Sequence, residues 1–259
     1  MTEDPQVDTR FELDDRQRAM LAEMGVRVWL PKTPPSKGAE MPAPTMQAPS
    51  TTPSTTPPPK LVSMPVVDIS ALPQGIVAMD WPALQSAVSA CTGCGLYQGR
   101  QQAILGEGLQ TSDWMIVGDA PGEDEDKEGI SFAGPAGQLL DNMLKALGLS
   151  RQQVYLTHAL KCRTPSGRNA TQVEVSHCAV YLSRQVALVQ PKVILAMGRT
   201  AAMALLQSTE PLGKLRAEVQ SFQGVPVVVT YPPAYLLRNQ ADKAKAWADL
   251  CLAASLVQP

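Results

Sequence analysis

The chain has 259 residues, a formal net charge of -2 and a pI near 5.7, which is enough length for one α/β domain with appendages. This charge balance excludes a strongly basic nucleic-acid-binding protein, so any contact with DNA must come from a local basic surface. No apolar run approaches the ~20 residues of a membrane span, and the first residues lack the pattern of a signal peptide. We therefore expect a cytoplasmic protein without membrane contact, monomeric outside any complex that it joins.

The sequence of the first thirty residues predicts a short amphipathic helix followed by a short apolar segment. Apolar side chains recur at helical spacing up to a glycine that is suited to end the helix, and further apolar side chains follow that glycine. Residues 1–30 are therefore predicted to be a partner-binding peptide. Its contact side chains are expected to be Met20, Leu21, Met24, Val26 and Trp29.

Residues 31–79 predict a disordered linker rather than a folded element. The stretch 31–60 is rich in Pro, Thr and Ser, a composition that cannot bury a core and favours extended conformations. The stretch 61–79 is apolar but short, and its sequence assigns no element to it.

From residue 80 to residue 259, short apolar runs alternate with helical patterns. Buried strands are predicted at 114–117, 154–157, 193–196 and 225–231, and helices at 137–147, 172–189, 200–206 and 242–256. This alternation indicates an α/β fold with three layers, in which helices cover both faces of a central, mainly parallel four-stranded sheet. In such folds the binding site lies at the carboxyl ends of the strands.

Four cysteines in two pairs form a candidate metal site. Cys91 and Cys94 make a C-x2-C loop, and Cys162 and Cys178 follow, separated by fifteen residues. Four thiolates fit either tetrahedral zinc or a [4Fe–4S] cluster, and spacing does not separate the two. The alternative is that these residues are small buried hydrophobes, which is the interpretation that we adopt for Cys251, in the apolar face of the last predicted helix.

Several ordered motifs resemble those of family 4, the iron–sulfur uracil-DNA glycosylases. They are GDAPGEDED at 118–126 leading into FAGPAGQLL at 132–140, KCR at 161–163, LAMGRTAA at 195–202 and YPPAYLLR at 231–238. The resemblance spans about residues 85–256 and implies the uracil-DNA glycosylase fold with a [4Fe–4S] cluster on the four cysteines. It also implies a base pocket that includes Gly118, Asp119 and Phe132, with Phe132 stacking on uracil.

Two positions depart from the family pattern. His158 stands where the family usually has an Asn that recognises the uracil edge, and a neutral imidazole donates and accepts with different geometry. Pro232 stands where the family usually has a His that stabilises the departing base, and proline has no side-chain donor. Asp119 lies where the family usually has a Glu or another pocket residue. These changes indicate a degraded pocket and leave the catalytic residues unassigned.

The N-terminal peptide carries a second resemblance. Residues 16–29 are similar to the N-terminal peptide of the psi subunit of bacterial DNA polymerase III, in which a short helix, a glycine and a tryptophan dock onto the clamp loader. An amphipathic helix on a long tether suits a partner-binding module, and an exposed Trp29 would be its anchor. The resemblance therefore implies a clamp-loader partner.

Two interpretations of function follow. In one, the chain is an active type-4 glycosylase that hydrolyses the N-glycosidic bond of uracil in DNA. In the other, it is a replication protein that keeps the fold, has lost the chemistry and acts as a psi-like clamp-loader subunit. The motifs favour the first interpretation, whereas His158, Pro232 and the tethered peptide favour the second, which we prefer from the sequence.

Overall fold

The computed structural model describes residues 75–165 and 168–257. These residues form one sheet with the strand order β1-β3-β2-β4-β6-β5. The strands are β1 (Glu107–Gly108), β2 (Trp114–Gly118), β3 (Tyr155–His158), β4 (Val193–Met197), β5 (Val219–Phe222) and β6 (Val225–Thr230). The central strands β3, β2, β4 and β6 are parallel to one another, as the four apolar runs predicted.

Helices connect and cover these strands. In chain order they are α1 (Trp81–Ser89), α2 (Glu123–Glu128), α3 (Gly134–Ala146), α4 (Gln172–Val189), α5 (Arg199–Leu206), α6 (Leu212–Leu215), α7 (Pro233–Arg238) and α8 (Lys243–Ser255). The four predicted helices correspond to α3, α4, α5 and α8. The largest of them, α4, begins at a capping box in which Thr171 and Glu174 bond each other's backbone N–H groups.

The alternation of side chains along β2 creates the two cores. Trp114 and Ile116 pack on one face with α3 and α8, whereas Met115 and Val117 pack on the other face with α4 and α5. Because both faces are covered, the central strands are largely buried and mostly apolar, and their polar residues Thr157, His158 and Thr230 lie at or near the carboxyl ends. The predicted three-layer α/β class is confirmed.

The edges of the sheet differ from the predicted four strands. Two short antiparallel strands are added, β1 against β3 and β5 against β6. Neither has a continuous apolar run, since β1 has only two residues and β5 alternates exposed and partly buried positions. A strand that is half exposed, or only two residues long, leaves little pattern in the sequence.

The strand order places a crevice in the middle of the sheet. The first long parallel strand, β2, has β3 on one side and β4 on the other, so the connections leave in opposite directions. A ligand site in an open α/β sheet is expected at this reversal, outside the carboxyl ends of the strands. The sheet therefore positions a site at the ends of β2, β3 and β4.

The predictions for the N-terminal part of the chain lie mostly outside the described residues. These include the partner-binding helix, the linker up to residue 74, and the side chains Met20, Leu21, Met24, Val26 and Trp29. The described segment begins with a 3-10 turn whose Ile76 packs against Leu84 and Val88 of α1. No helix among the described residues is long and apolar enough to cross a membrane.

Candidate functional site

The carboxyl ends of the parallel strands bring the predicted pocket positions to one edge of the sheet. Gly118, the last residue of β2, pairs with His158 of β3 on one side and with Met197 of β4 on the other. Met197 in turn pairs with Thr230, the last residue of β6, and Pro232 follows two residues later. Positions separated by more than a hundred residues thus share one edge.

Phe132, His158 and Gly118 form the centre of this edge. The rings of Phe132 and His158 lie 4.6 Å apart between centroids at an angle of 30°. A side chain at Gly118 would collide with both, because an added Cβ would lie 2.6 Å from His158 Nδ1 and 2.8 Å from Phe132 Cζ. Glycine is therefore required for the approach of the two rings, and the three predicted residues are brought together.

Phe132 is held by Arg151, a residue that the sequence analysis did not single out. Phe132 has a positive φ of 54°, a conformation that costs energy for a bulky side chain and must be enforced by its surroundings. Arg151 Nη2 donates to the Phe132 carbonyl at 2.5 Å and Nη1 donates to the Ser131 carbonyl at 3.0 Å. Glu107 and Asp141 bind the same guanidinium at 2.7 and 2.6 Å. No local motif marks this role.

His158 is a buried, neutral and unbonded imidazole. Its side chain is 3% exposed, and neither Nδ1 nor Nε2 has a hydrogen-bond partner among the described residues. Burial, assisted by the nearby charge of Lys161, lowers the pKa of His158 to about 3. The ring therefore stays uncharged at neutral pH, with both nitrogens available to a ligand.

Asp119 lies next to this centre, but its carboxyl group turns toward the start of α5. Oδ1 accepts from the Ala201 N–H at 2.9 Å, and the carboxylate also lies against Gly198, where any added Cβ would collide with it. Burial raises the pKa of Asp119 to about 6, although hydrogen bonds from Ala201 and Thr200 act in the opposite direction. A carboxylate that ionises close to neutral pH thus lies at the reversal of the strand order.

Pro232 supplies no donor to the site. It is the N-cap of α7, and its carbonyl accepts from the N–H groups of Tyr235 at 3.0 Å and Leu236 at 3.2 Å. Pro233 begins the helix, where a missing N–H does no harm. The two prolines therefore stabilise the start of α7, and neither of them offers a polar side chain to the site.

An aromatic and ionic network fixes the residue before Pro232. Tyr231 stacks on Tyr235 with ring centroids 5.0 Å apart, and the Arg216 guanidinium lies 4.4 Å from the Tyr231 ring centroid. Arg216 is held in turn by the buried carboxylate of Asp249 at 2.7 Å. The turn that carries Pro232 is thus anchored to β6 and α8.

The four predicted cysteine ligands line one cavity on the other side of β3. Cys91, Cys94, Cys162 and Cys178 contribute to its walls, together with Gly93 of the C-x2-C loop. Among the described residues, no set of three His, Cys, Asp or Glu side chains converges closely enough to hold a single metal ion. The thiols therefore surround a shared space without meeting at one point. Cys251 is elsewhere, packed partly buried against the core of α3 and α8.

Burial favours the neutral form of three of the thiols that line this cavity, Cys94, Cys162 and Cys178. Burial raises the pKa of Cys178 to about 12, and it also raises the pKa of Cys94 and Cys162. Arg100 opposes this at Cys162, since its Nη1 donates to Sγ at 3.0 Å. A metal group would replace these protons, because thiolates are the form that binds metals.

Lys161 connects the cysteine cavity with the His158 end of β3. It is 2% exposed and lines the cavity, while its Nζ donates to the His158 carbonyl at 2.6 Å and to Thr157 Oγ1 at 2.7 Å. Burial lowers the pKa of Lys161 to about 7, against the effect of the neighbouring Cys178 and Cys162. The sequence placed Lys161 in a motif but gave it no role.

These features define an α/β protein with two sites. A buried aromatic and polar site lies at the carboxyl ends of β2, β3 and β4, where the strand order reverses, and a cavity lined by thiols lies on the other side of β3. Residues 105–251 match the uracil DNA glycosylase superfamily. The chain belongs to the uracil-DNA glycosylase superfamily. The match covers the sheet, the Phe132–His158 centre and two of the four cavity cysteines, Cys162 and Cys178.

The relatives carry a more specific name. The chain is 36% identical to the type-4 uracil-DNA glycosylase of Pyrobaculum aerophilum over 184 residues, which are 67% of this chain and 93% of the relative. It is 38% identical to the type-4 enzyme of Sulfurisphaera tokodaii over 60% of this chain and 75% of the relative, and 36% identical to that of Thermotoga maritima over 61% and 83%. The resemblance to family 4 is confirmed. The resemblance of residues 16–29 to the psi subunit lies outside the matched region and gains no support from these relatives.

Proposed function

We propose that this chain is a uracil-DNA glycosylase, which hydrolyses the N-glycosidic bond of uracil in DNA. The observation that carries the proposal is the Phe132–His158 centre at the sheet reversal, an aromatic ring beside an unbonded polar ring, in a chain whose relatives are named type-4 uracil-DNA glycosylases. This reverses the preference from the sequence for a non-catalytic replication subunit. The substitutions at 158 and 232 alter the pocket, but the elements that build it are all present.

The pocket residues bind and orient an extruded base. Enzymes that act on a base take it out of the stack and hold it between aromatic and polar groups. Phe132 supplies the stacking face, and Gly118 leaves room for the Phe132 and His158 rings beside the end of β2. In the proposed complex, one ring nitrogen of His158 hydrogen-bonds the edge of the base.

Asp119 acts on the sugar rather than on the base. As the bond between C1′ and N1 breaks, positive charge develops on the sugar, and a carboxylate at the sheet reversal stabilises it. Water then adds its oxygen to C1′, and its proton passes to the base. Because the pKa of Asp119 is about 6, the carboxylate is ionised at neutral pH, when it is needed.

The departing base receives less assistance than in a pocket with a charged donor. Pro232 offers none, and His158 is neutral, so it donates one uncharged hydrogen bond. Removing one preorganised donor from a developing anion typically lowers the rate by about 100- to 1000-fold. We therefore propose slow excision.

We further propose that the cysteine cavity holds a [4Fe–4S] cluster. Thiols from four positions line one space, four thiolates are the donor set of such a cluster, and the motifs around them resemble those of the iron–sulfur family 4 enzymes. Cys91 and Cys94 of the C-x2-C loop, Cys162 after β3 and Cys178 in α4 would hold the cluster, which when bound would link these segments and so serve a structural role. Arg100, which bonds Cys162 and the Ser89 carbonyl, holds this wall in place.

Excision is tested with purified protein and a single-stranded oligonucleotide that contains one uracil. We expect abasic sites to accumulate slowly, and to be absent with an otherwise identical thymine oligonucleotide. A matched protein control is Asp119→Asn, which keeps the shape and removes the charge. No abasic sites above those from the thymine oligonucleotide, with iron and fold intact, would overturn the proposal.

The clamp-loader partner stays a prediction, because residues 16–29 lie outside the described residues. A tryptophan buried at an interface is commonly worth ~2 kcal/mol or more, so Trp29→Ala should weaken clamp-loader binding at least about tenfold. The measurement is binding to the reconstituted clamp loader, with a peptide of residues 10–32 as competitor. Unchanged binding after deletion of residues 1–60 would refute the prediction. The cytoplasmic location and monomeric state likewise remain predictions.

A further inference from the structure

Several buried polar side chains near the pocket have an unbonded atom among the described residues, Ser131 Oγ and Thr230 Oγ1 included, and at His158 both ring nitrogens are unbonded. Asp119 bonds α5, and Lys161 bonds the Thr157 hydroxyl and the His158 carbonyl, but neither nitrogen of the His158 ring bonds anything among the described residues. Buried polar atoms are nearly always bonded, since leaving one unbonded is costly. The backbone of His158 is therefore fixed while its ring is left for a ligand.

An imidazole without a fixed hydrogen bond can act toward a base either as a donor or as an acceptor. In neutral histidine one nitrogen carries the proton and the other accepts, and a bond made by the protein normally fixes which is which. No such bond fixes His158. Whichever nitrogen meets the base edge, it is able to donate or accept according to the tautomer. The ring therefore matches an acceptor such as the uracil O4 or a donor such as the cytosine amino group.

A side-chain amide reads the same edge differently. Its oxygen and its NH₂ group lie side by side and engage two adjacent atoms of the base at once. Uracil offers an acceptor beside a donor, whereas cytosine offers a donor beside an acceptor. A site that makes both bonds strongly rejects the wrong partner, because buried groups are then left unbonded. The two imidazole nitrogens point in different directions, so only one of them meets the edge.

We propose that His158 makes base recognition in this pocket permissive, so that pyrimidines with a uracil-type or a cytosine-type edge bind with similar strength. This inference rests on the proposed function and names what the pocket admits. Preference for uracil in excision then comes from the reaction, since uracil leaves more readily as an anion than cytosine does. Binding and excision consequently differ in selectivity.

The contact between the rings of His158 and Phe132 allows two interpretations that a binding experiment must separate. The two rings are 3% and 5% exposed and cover one another, so a base that binds must part them. The competing interpretation is that His158 permanently occupies the place of the base. The variant His158→Ala separates these interpretations, because it removes the ring from the space beside Phe132 and adds no hydrogen-bonding group to replace it.

The experiment measures the affinity of the full-length, iron-loaded protein for single-stranded oligonucleotides by fluorescence anisotropy. Each carries one 2′-fluoroarabino-uridine, one 2′-fluoroarabino-cytidine or one tetrahydrofuran site without a base, the fluorine slowing cleavage. The variants are His158→Asn, His158→Gln as a second amide should the first fold poorly, and His158→Ala. Circular dichroism and iron content verify the fold of each.

We expect the wild type to bind the uridine and cytidine strands within about threefold of each other, and both more tightly than the baseless strand. An amide variant should prefer uridine by about tenfold or more. Wild-type discrimination equal to that of the amide variant would overturn the inference. So would tighter binding of both bases by His158→Ala with none by the wild type. Failed excision with this binding pattern intact would refute the proposed function alone.

Discussion

The cysteine cavity and the Phe132–His158 centre lie on either side of Lys161, yet they depend on their residues in different ways. The cavity uses four equivalent thiols, and its chemistry follows from residue type. The centre uses single residues in single roles, so one substitution changes what it does. The sequence predicts that His158 and Pro232 depart from the family pattern at the centre, whereas all four cysteines line the cavity. A single substitution is therefore expected to change the chemistry of the centre, whereas in the cavity it removes one of four like ligands.

The largest effect is expected from breaking the cavity. Cys162→Ala should abolish stable iron binding and strongly destabilise the domain, because it removes one of four ligands and leaves the Arg100 guanidinium without its sulfur partner. Iron analysis should give about four iron atoms per chain in the wild type. Cys251→Ala is the matched control and should keep its iron. Stoichiometric zinc in place of iron would contradict the assignment.

Restoring a donor at the centre should give the next largest effect. Pro232→His should raise the excision rate by about 100- to 1000-fold, because a donor would then face the departing base. Adding His158→Asn should sharpen selectivity for uracil. Pro232→Ala removes the proline without adding a donor and should leave the rate low. Wild-type turnover already equal to that of Pro232→His would show that Pro232 does not limit the chemistry.

The charge of Asp119 should appear in the pH dependence of excision. With a pKa of about 6, the carboxylate form becomes dominant as pH rises, so the rate should increase about tenfold from pH 5 to pH 7. Asp119→Asn should lose this increase along with most activity. His158, whose pKa is about 3, should add no step to the profile near its usual pKa. A flat profile in the wild type would remove Asp119 from the mechanism.

The same groups should affect stability with opposite signs. Asp119 has a folded pKa above its usual 3.8, so the fold holds its proton more tightly, and its contribution is lost as pH rises from about 4 to 6. His158 has a folded pKa below its usual 6.5, so its contribution is present above that pH and is lost as pH falls toward 3. Thermal melts of the wild type, Asp119→Asn and His158→Asn across this pH range would show how much each residue contributes to the pH dependence of the melting temperature.

Substitution of Lys161 should give the smallest effect. Because Lys161 lies between the cysteine cavity and the Phe132–His158 centre, its substitution is expected to affect both. Lys161→Met removes the bonds to Thr157 Oγ1 and the His158 carbonyl, which should lower the free energy of unfolding by about 1–3 kcal/mol. It should also weaken iron retention and uracil binding together. Lys192→Met is the control, since that lysine is exposed and pairs only with the exposed Asp113. A change confined to one region would show that the two are independent.

The sequence by itself determined the central strands, the helices α3, α4, α5 and α8, and the set of cysteines. Continuous apolar runs such as 114–117 predict buried parallel strands because burial on both faces leaves no polar positions. The helix Gln172–Val189 was predicted with its observed bounds, because its capping box and its end are local signals. Thiols at C-x2-C spacing indicate a metal site through residue type alone.

Only the tertiary structure decided the contacts that depend on distant parts of the chain. The edge strands β1 and β5 exist because β3 and β6 offer them unpaired backbone, not because of their own pattern. Arg151 holding Phe132, and Lys161 between the cavity and His158, carry no local signal. The sequence predicted that His158 and Pro232 depart from the family pattern, but not that the His158 ring lies against Phe132 with no hydrogen-bond partner among the described residues. Such contacts arise when the sheet brings separate segments to one edge, and local periodicity does not encode that meeting.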